Sequence, residues 1–235
     1  EAGSIDFVFL DLPYMCVDNK KAETNCKWNI TPINLAELWI QINRITKPTS
    51  PCFFTCTSKF GAALINSNPK NFRYDLIWVK SSVSGVLNAK KMPLRKHESI
   101  YVFYRKLPYY NLDSHIYKYP GNNTITKTKT SDVYKKNNQT NILNDNGTVA
   151  TGSRYEPRLP TSIIEISSER GEHATQKPVA LIKYLLKYYS RENDVCLDPT
   201  CGSGSTAIAC IQMNRRFIGV ENDKSIYNKS LIRIQ

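Results

Sequence analysis

Asp194-Val195-Cys196-Leu197-Asp198-Pro199-Thr200-Cys201-Gly202-Ser203-Gly204-Ser205-Thr206 is a short β-prone run that breaks into a proline- and glycine-containing turn and then into a helix-forming stretch. A strand, turn and helix in that order is the repeating unit of an open α/β sheet. Its turn lies at the carboxyl end of the strand, where such sheets bind ligands. Gly202 and Gly204 permit close backbone approach and φ values that other residues resist. A helix over 206–213 then leads into Phe217-Ile218-Gly219-Val220-Glu221, a second strand ending on an acid twenty-three positions after Asp198. A carboxylate there can accept hydrogen bonds from ribose hydroxyls. The same layout suits NAD, but the turn reads Asp-Pro-x-x-Gly-x-Gly rather than G-x-G-x-x-G and holds no basic residue for a pyrophosphate.

At the other end of the chain, Ile5-Asp6-Phe7-Val8-Phe9-Leu10 is a second buried-strand pattern, and it delivers Asp11-Leu12-Pro13-Tyr14. One strand end offers a carboxylate and an aromatic ring, the other a glycine turn. Together they read as a place for a flat base beside a nucleotide-like cofactor.

Between these ends, Asn34 is placed to cap a helix whose apolar residues Leu35, Leu38, Trp39, Ile42 and Ile45 recur at helical spacing. Strands are predicted at 52–56, 74–79 and 99–104, a short helix at 60–65, and a helix from Val179 to Tyr189 after Pro178. Residues 15–33 are polar and irregular beside the ring of Tyr14 and are expected to form a flap. The segment 80–97 is expected to be a loop. It is rich in cations, and Lys80, Lys90, Lys91, Arg95 and Lys96 make it the first candidate for phosphate contact. From 107 to 170, Asn, Thr, Lys and Tyr dominate. Tyr109, Tyr110, Tyr117, Tyr119 and Tyr134 there suit base stacking or the packing of a small subdomain.

Both end motifs, together with His173-Ala174-Thr175-Gln176-Lys177-Pro178 and Phe217-Ile218-Gly219-Val220-Glu221, resemble in kind and order the S-adenosylmethionine-dependent DNA amino-methyltransferases of the permuted type, in which the catalytic motif precedes the cofactor motif. The resemblance implies a doubly wound, mostly parallel α/β sheet, with 1–106 and 171–235 catalytic and 107–170 a target recognition insertion. It further implies that Asp11 and the backbone of Leu12 accept hydrogens from an exocyclic amine, that Pro13 stiffens the turn, and that Tyr14 stacks on the extruded base. Asp198 and the turn through Thr200, Gly202, Ser203 and Gly204 would hold the methionine end of S-adenosylmethionine, with Glu221 on the ribose. His173, Thr175, Gln176 and Lys177 would lie over that same moiety, Thr175 and Lys177 serving its carboxylate. Two departures are mild: Leu12 replaces a proline that contributes only its carbonyl, and Ala174 replaces a proline that contributes no side-chain hydrogen bond.

The acidic residue at position 11 favours adenine N6, since the cytosine-specific relatives usually show serine there. Transfer to cytosine N4, to adenine in RNA, or a non-catalytic DNA-binding subunit are the alternatives. The resemblance also fits a modification partner in restriction or a solitary regulatory or viral enzyme.

The 235 residues suffice for one α/β domain with a modest insertion, and the net charge of +12 favours a polyanionic partner, here double-stranded DNA. A homodimer or partner subunit would help so small a recognition insertion cover its site. Seven scattered cysteines suit reduced thiols, and Cys52 and Cys56 lack a second ligand pair, so no metal is expected. With no long apolar stretch and no basic-then-apolar leader, a cytoplasmic protein without membrane attachment is expected. The chain opens on Glu1, almost directly on a strand, where relatives carry a further strand and helix, so a truncated or partly ordered form is expected.

Overall fold

Phe7-Val8-Phe9-Leu10 presents large apolar groups to both faces of a strand, so it is stable only in the middle of a sheet covered on both sides. That is its position. The computed structural model describes residues 1–13, 33–118, 125–127, 140–142, 155–169 and 176–235. In chain order these carry β1 (Phe7–Leu10), α1 (Leu35–Ile45), β2 (Cys52–Cys56), α2 (Ser58–Ser67), β3 (Phe72–Ser84), β4 (Arg95–Phe103), β5 (Ile116–Tyr117), β6 (Ile125–Lys127), β7 (Thr140–Ile142), β8 (Tyr155–Glu156), β9 (Ile163–Glu165), α3 (Val179–Tyr189), β10 (Val195–Asp198), α4 (Ser205–Gln212), β11 (Arg216–Gly219) and α5 (Lys224–Ile234).

The described residues form two compact units: Glu1–Asn111 with Ser162–Gln235, and Leu112–Thr161. The first holds a seven-stranded sheet in the order β11-β10-β1-β2-β4-β3-β9. β11, β10, β1 and β2 are parallel neighbours, β4 runs antiparallel to both β2 and β3, and β3 pairs parallel with β9. The expected doubly wound, mostly parallel sheet is thus observed.

Alternation along β1 divides the core. Val8 and Leu10 belong to a cluster with Trp39 and Ile42 of α1 and Phe60 and Leu64 of α2. On the opposite face Phe7 stacks on Phe53, whose ring meets that of Tyr189 of α3 at 5.0 Å. Asn34 caps α1 by accepting from the amides of Ala36 and Glu37. In α2, a Cβ at Gly61 would lie 2.2 Å from the Tyr101 ring, so a glycine there lets the helix lie close on β4.

Two elements differ from the sequence expectation. The segment 80–97 is largely a β-hairpin, because β3 continues to Ser84 and β4 begins at Arg95. Its serines have little strand propensity. Side-chain bonds replace it: Ser84 Oγ donates to the Arg95 carbonyl across the hairpin, and Ser81 Oγ accepts from the amide of Ser168, three residues beyond β9. The edge strand β9 lies within the 107–170 interval yet belongs to the sheet of the first unit, held by the bond from the Ile77 amide to the Ser162 carbonyl.

In the second unit β5 pairs with β8 and β6 with β7. Tyr117 packs edge-on against Tyr155, and Lys118 pairs with Glu156 at 2.7 Å. In the first unit, Tyr110 packs on Tyr188 and Tyr189, and the Tyr109 ring lies under the Arg191 guanidinium at 3.8 Å. Each of these rings makes a packing contact, while Tyr110 stays 42% exposed. Tyr119 and Tyr134 lie outside the described residues.

Candidate active site

β1 and β10 are adjacent parallel strands, Val8 opposite Leu197, so the residues that follow them emerge side by side. Asp11 follows β1; its amide donates to Thr200 Oγ1 at 3.3 Å, tying the first motif to the glycine turn. Leu12 is buried in the core cluster. Pro13 is half-buried.

The Asp11 carboxylate is held from two sides. Thr55 Oγ1, from β2, donates to Oδ1 at 2.7 Å, and Lys177 Nζ donates to Oδ2 at 2.7 Å. The Asp11 side chain keeps 24% of its exposure, so the carboxylate is open to solvent on one side. Lys177, assigned by resemblance to the cofactor's carboxylate, is buried against Asp11. It also faces Glu98 Oε2, a buried oxygen, in charge contact at 3.5 Å. Burial is the largest influence on Lys177 and favours the neutral amine. The Asp11 and Glu98 carboxylates outweigh it and hold Lys177 above its ordinary pKa.

Glu98 is a site residue that the sequence reading missed. It sits on β4, opposite Trp78 of β3, and also draws in Lys80, whose Nζ lies 3.5 Å from Glu98 Oε1. Only its being the sole acid among the cations of 80–106 marked it out. Lys80 therefore points into the site, apart from Lys90, Lys91, Arg95 and Lys96, which are exposed on the hairpin.

The glycine turn is built around Asp198. Its buried carboxylate accepts from the Thr200 amide at 3.0 Å and from Thr206 Oγ1 at 2.5 Å. Burial pushes Asp198 up to about 7, against the lowering effect of those bonds. Asp198 thus shapes the turn from inside. Gly202 and Gly204 have φ of 49° and 81°, in the left-handed region, and the Gly202 amide donates to Glu221 Oε2 at 3.0 Å. Burial pushes the Cys201 thiol up to about 11, with Asp198 and Glu221 adding to it, so it stays protonated.

Gln176 reaches this turn, its Oε1 accepting from Ser203 Oγ at 3.2 Å. Arg233 of α5 donates to the Ser203 carbonyl and to Ser205 Oγ, and lies 3.8 Å from Glu169. Tyr14, His173 and Thr175 lie outside the described residues.

An acceptor carboxylate at the end of β11 and a turn with two left-handed glycines leading into α4 suit a ligand with a ribose and a small polar tail. The profile of the N6/N4 DNA methylase family matches residues 5–232. The chain belongs to the DNA methylase family. It is 41% identical over 68 residues to the Type II methyltransferase M.HindIII of Haemophilus influenzae, a match spanning 29% of this chain and 22% of that protein. It is 39% identical over 66 residues to the Type II methyltransferase M2.MboI of Moraxella bovis, spanning 28% of this chain and 24% of that protein. The matches thus span about a quarter or less of these curated relatives. Two solved structures share the fold. The M1.HpyAVI–SAM complex has a TM-score of 0.60 and 20% identity, covering 98% of this chain and 90% of that one. PvuII DNA methyltransferase, described as cytosine-N4-specific, has a TM-score of 0.63 and 14% identity, covering 100% of this chain and 80% of that one.

Proposed function

We propose that the chain transfers the methyl group of S-adenosylmethionine to the exocyclic N6 amine of adenine in double-stranded DNA. The observation that carries this reading is the Asp11 amide bonded to Thr200, which sets an acceptor carboxylate against the cofactor turn. When bound, S-adenosylmethionine supplies an electrophilic methyl on a sulfonium. Glu221 would accept from its ribose, and the backbone of Thr200 to Gly204 would line its methionine portion. Asp198 would act through the turn it shapes.

An adenine amine is a weak nucleophile because its lone pair is delocalised into the ring. Asp11 and the Leu12 carbonyl, each accepting one amine hydrogen, favour the pyramidal nitrogen whose lone pair is free to attack. Thr55 and Lys177 fix the carboxylate in place. The nitrogen gains the methyl carbon as the sulfonium S–C bond breaks with its electron pair left on sulfur, and it sheds a proton, for which Asp11 is our choice of acceptor. The base must leave the duplex to reach this pocket, and Tyr14 is our choice for the ring that stacks on it. The unit Leu112–Thr161 is our choice for the main part of the target recognition region, within 107–170.

Nucleoside analysis of mixed-sequence duplex DNA and of RNA, each incubated with labelled cofactor, tests the assignment. Label in N6-methyladenine of DNA supports it. Label in N4-methylcytosine would overturn the choice of base, and label in RNA alone the choice of polymer.

A further inference from the structure

The tip of the β3–β4 hairpin exposes more apolar surface than a soluble loop normally keeps. Leu87 is 101% exposed, Val86 66% and Met92 59%, with Val83 and Leu94 at 44% and 40%. Single exposed apolar residues are ordinary, whereas a group at the end of one projection marks a contact surface. No described residue covers Leu87.

The tip is also shaped in advance. Gly85, with φ of 88°, turns the chain into a single 3-10 turn over Val86–Asn88. The amides of Asn88, Ala89, Lys91 and Met92 all bond within the tip itself. Exposed cations Lys90, Lys91, Arg95 and Lys96 flank it, and no acid occurs between Lys80 and His97.

Its placement follows from strand register. Cys56, the last residue of β2, pairs with Ser99, so Glu98 and everything before it in β4 extend past the sheet edge that carries Asp11. From Glu98 back to Arg95 the strand projects about 10 Å, and the tip lies beyond.

We propose that this hairpin is a DNA-inserting finger: Val86 and Leu87 enter the base stack of a duplex while Lys90, Lys91, Arg95 and Lys96 hold its phosphates. Apolar side chains wedged between base steps unstack and unwind DNA, with flanking cations neutralising the backbone. Beside an amine-methylating site, the finger fills or opens the space that an extruded base leaves. This rests on the reading of the chain as a DNA methyltransferase.

The test compares the native chain with Val86→Ser/Leu87→Ser, which leaves every cation in place. Closed circular plasmid is relaxed by topoisomerase at saturating protein, and its linking number is read on a gel. Methyl transfer is measured in parallel on mixed-sequence duplex and on the same strands denatured. The native chain should lower the linking number and the variant should not. The variant's transfer to duplex should fall by about tenfold or more, with transfer to single strands retained. Unwinding by both proteins, or by neither, overturns the finger. So does an equal loss of transfer on both substrates accompanied by a fall from dimer to monomer in light scattering, which would make the tip an interface between copies. Unwinding by the native chain alone, without methyl transfer to any substrate, keeps the finger and removes the methyltransferase reading.

Discussion

Lys177 brings a positive charge into a place where 8% of its side chain meets solvent, and two carboxylates, Asp11 and Glu98, surround it. Removing one member of a buried charge group leaves the others uncompensated, which costs about 3 kcal/mol or more. Lys177→Met should therefore lower unfolding free energy in urea by about that amount, and adding Glu98→Gln should recover part of the loss. Strict additivity of the two changes would contradict the coupling.

Asp198 supplies a second test at this scale. Its carboxyl is raised from its ordinary 3.8 to about 7 chiefly by burial. The folded chain then keeps a proton that the unfolded chain releases, so this contribution to stability is complete below pH about 4 and is lost as the pH rises through about 7. Without cofactor, the thermal midpoint of the native chain should fall relative to that of Asp198→Asn over this window. A constant difference would show that Asp198 is ionised in the fold.

Among the elements, the glycine turn is the most constrained. Gly204 has φ of 81°, where any side chain is strained, and a Cβ there would also lie 2.9 Å from the end of the Ile234 side chain of α5, which would have to shift. Gly204→Ala should cost about 1–3 kcal/mol of stability and weaken S-adenosylmethionine in calorimetric titration. Unchanged affinity would separate this turn from the cofactor. The same turn was legible in the sequence because its glycines and the acid of the following strand are local signals. Asp11 was legible for the same reason, as a polar break directly after an apolar run. Glu98 was not, because its importance comes from β4 pairing between β2 and β3, a long-range arrangement that no spacing encodes. The hairpin was read as a loop because Lys80-Ser81-Ser82 lacks strand propensity, and tertiary pairing supplied what propensity did not. β9 was missed because Ile163-Ile164-Glu165 is too short to stand out from the polar interval around it.

Across the whole molecule the net charge is +12, and the hairpin carries Lys80, Lys90, Lys91, Arg95 and Lys96 with no acid between Lys80 and His97, so DNA bound on this face would show a polyelectrolyte effect. Each cation withdrawn from a phosphate should reduce the slope of log affinity against log salt by about 1. Lys90→Gln/Lys91→Gln should thus flatten the slope measured by anisotropy on a mixed-sequence duplex by about 2, whereas an unchanged slope would place the DNA elsewhere. Among the described residues no helix is long and apolar enough to cross a membrane. The central claim is that the end of β1 and the turn after β10 form one site in which Asp11 receives the amine. Its most direct test is the single-turnover rate of methyl transfer to duplex DNA by the native chain and by Asp11→Ala, with cofactor affinity measured on both. A fall of about 100-fold or more in rate at nearly unchanged cofactor affinity is predicted, and equal rates would contradict the account.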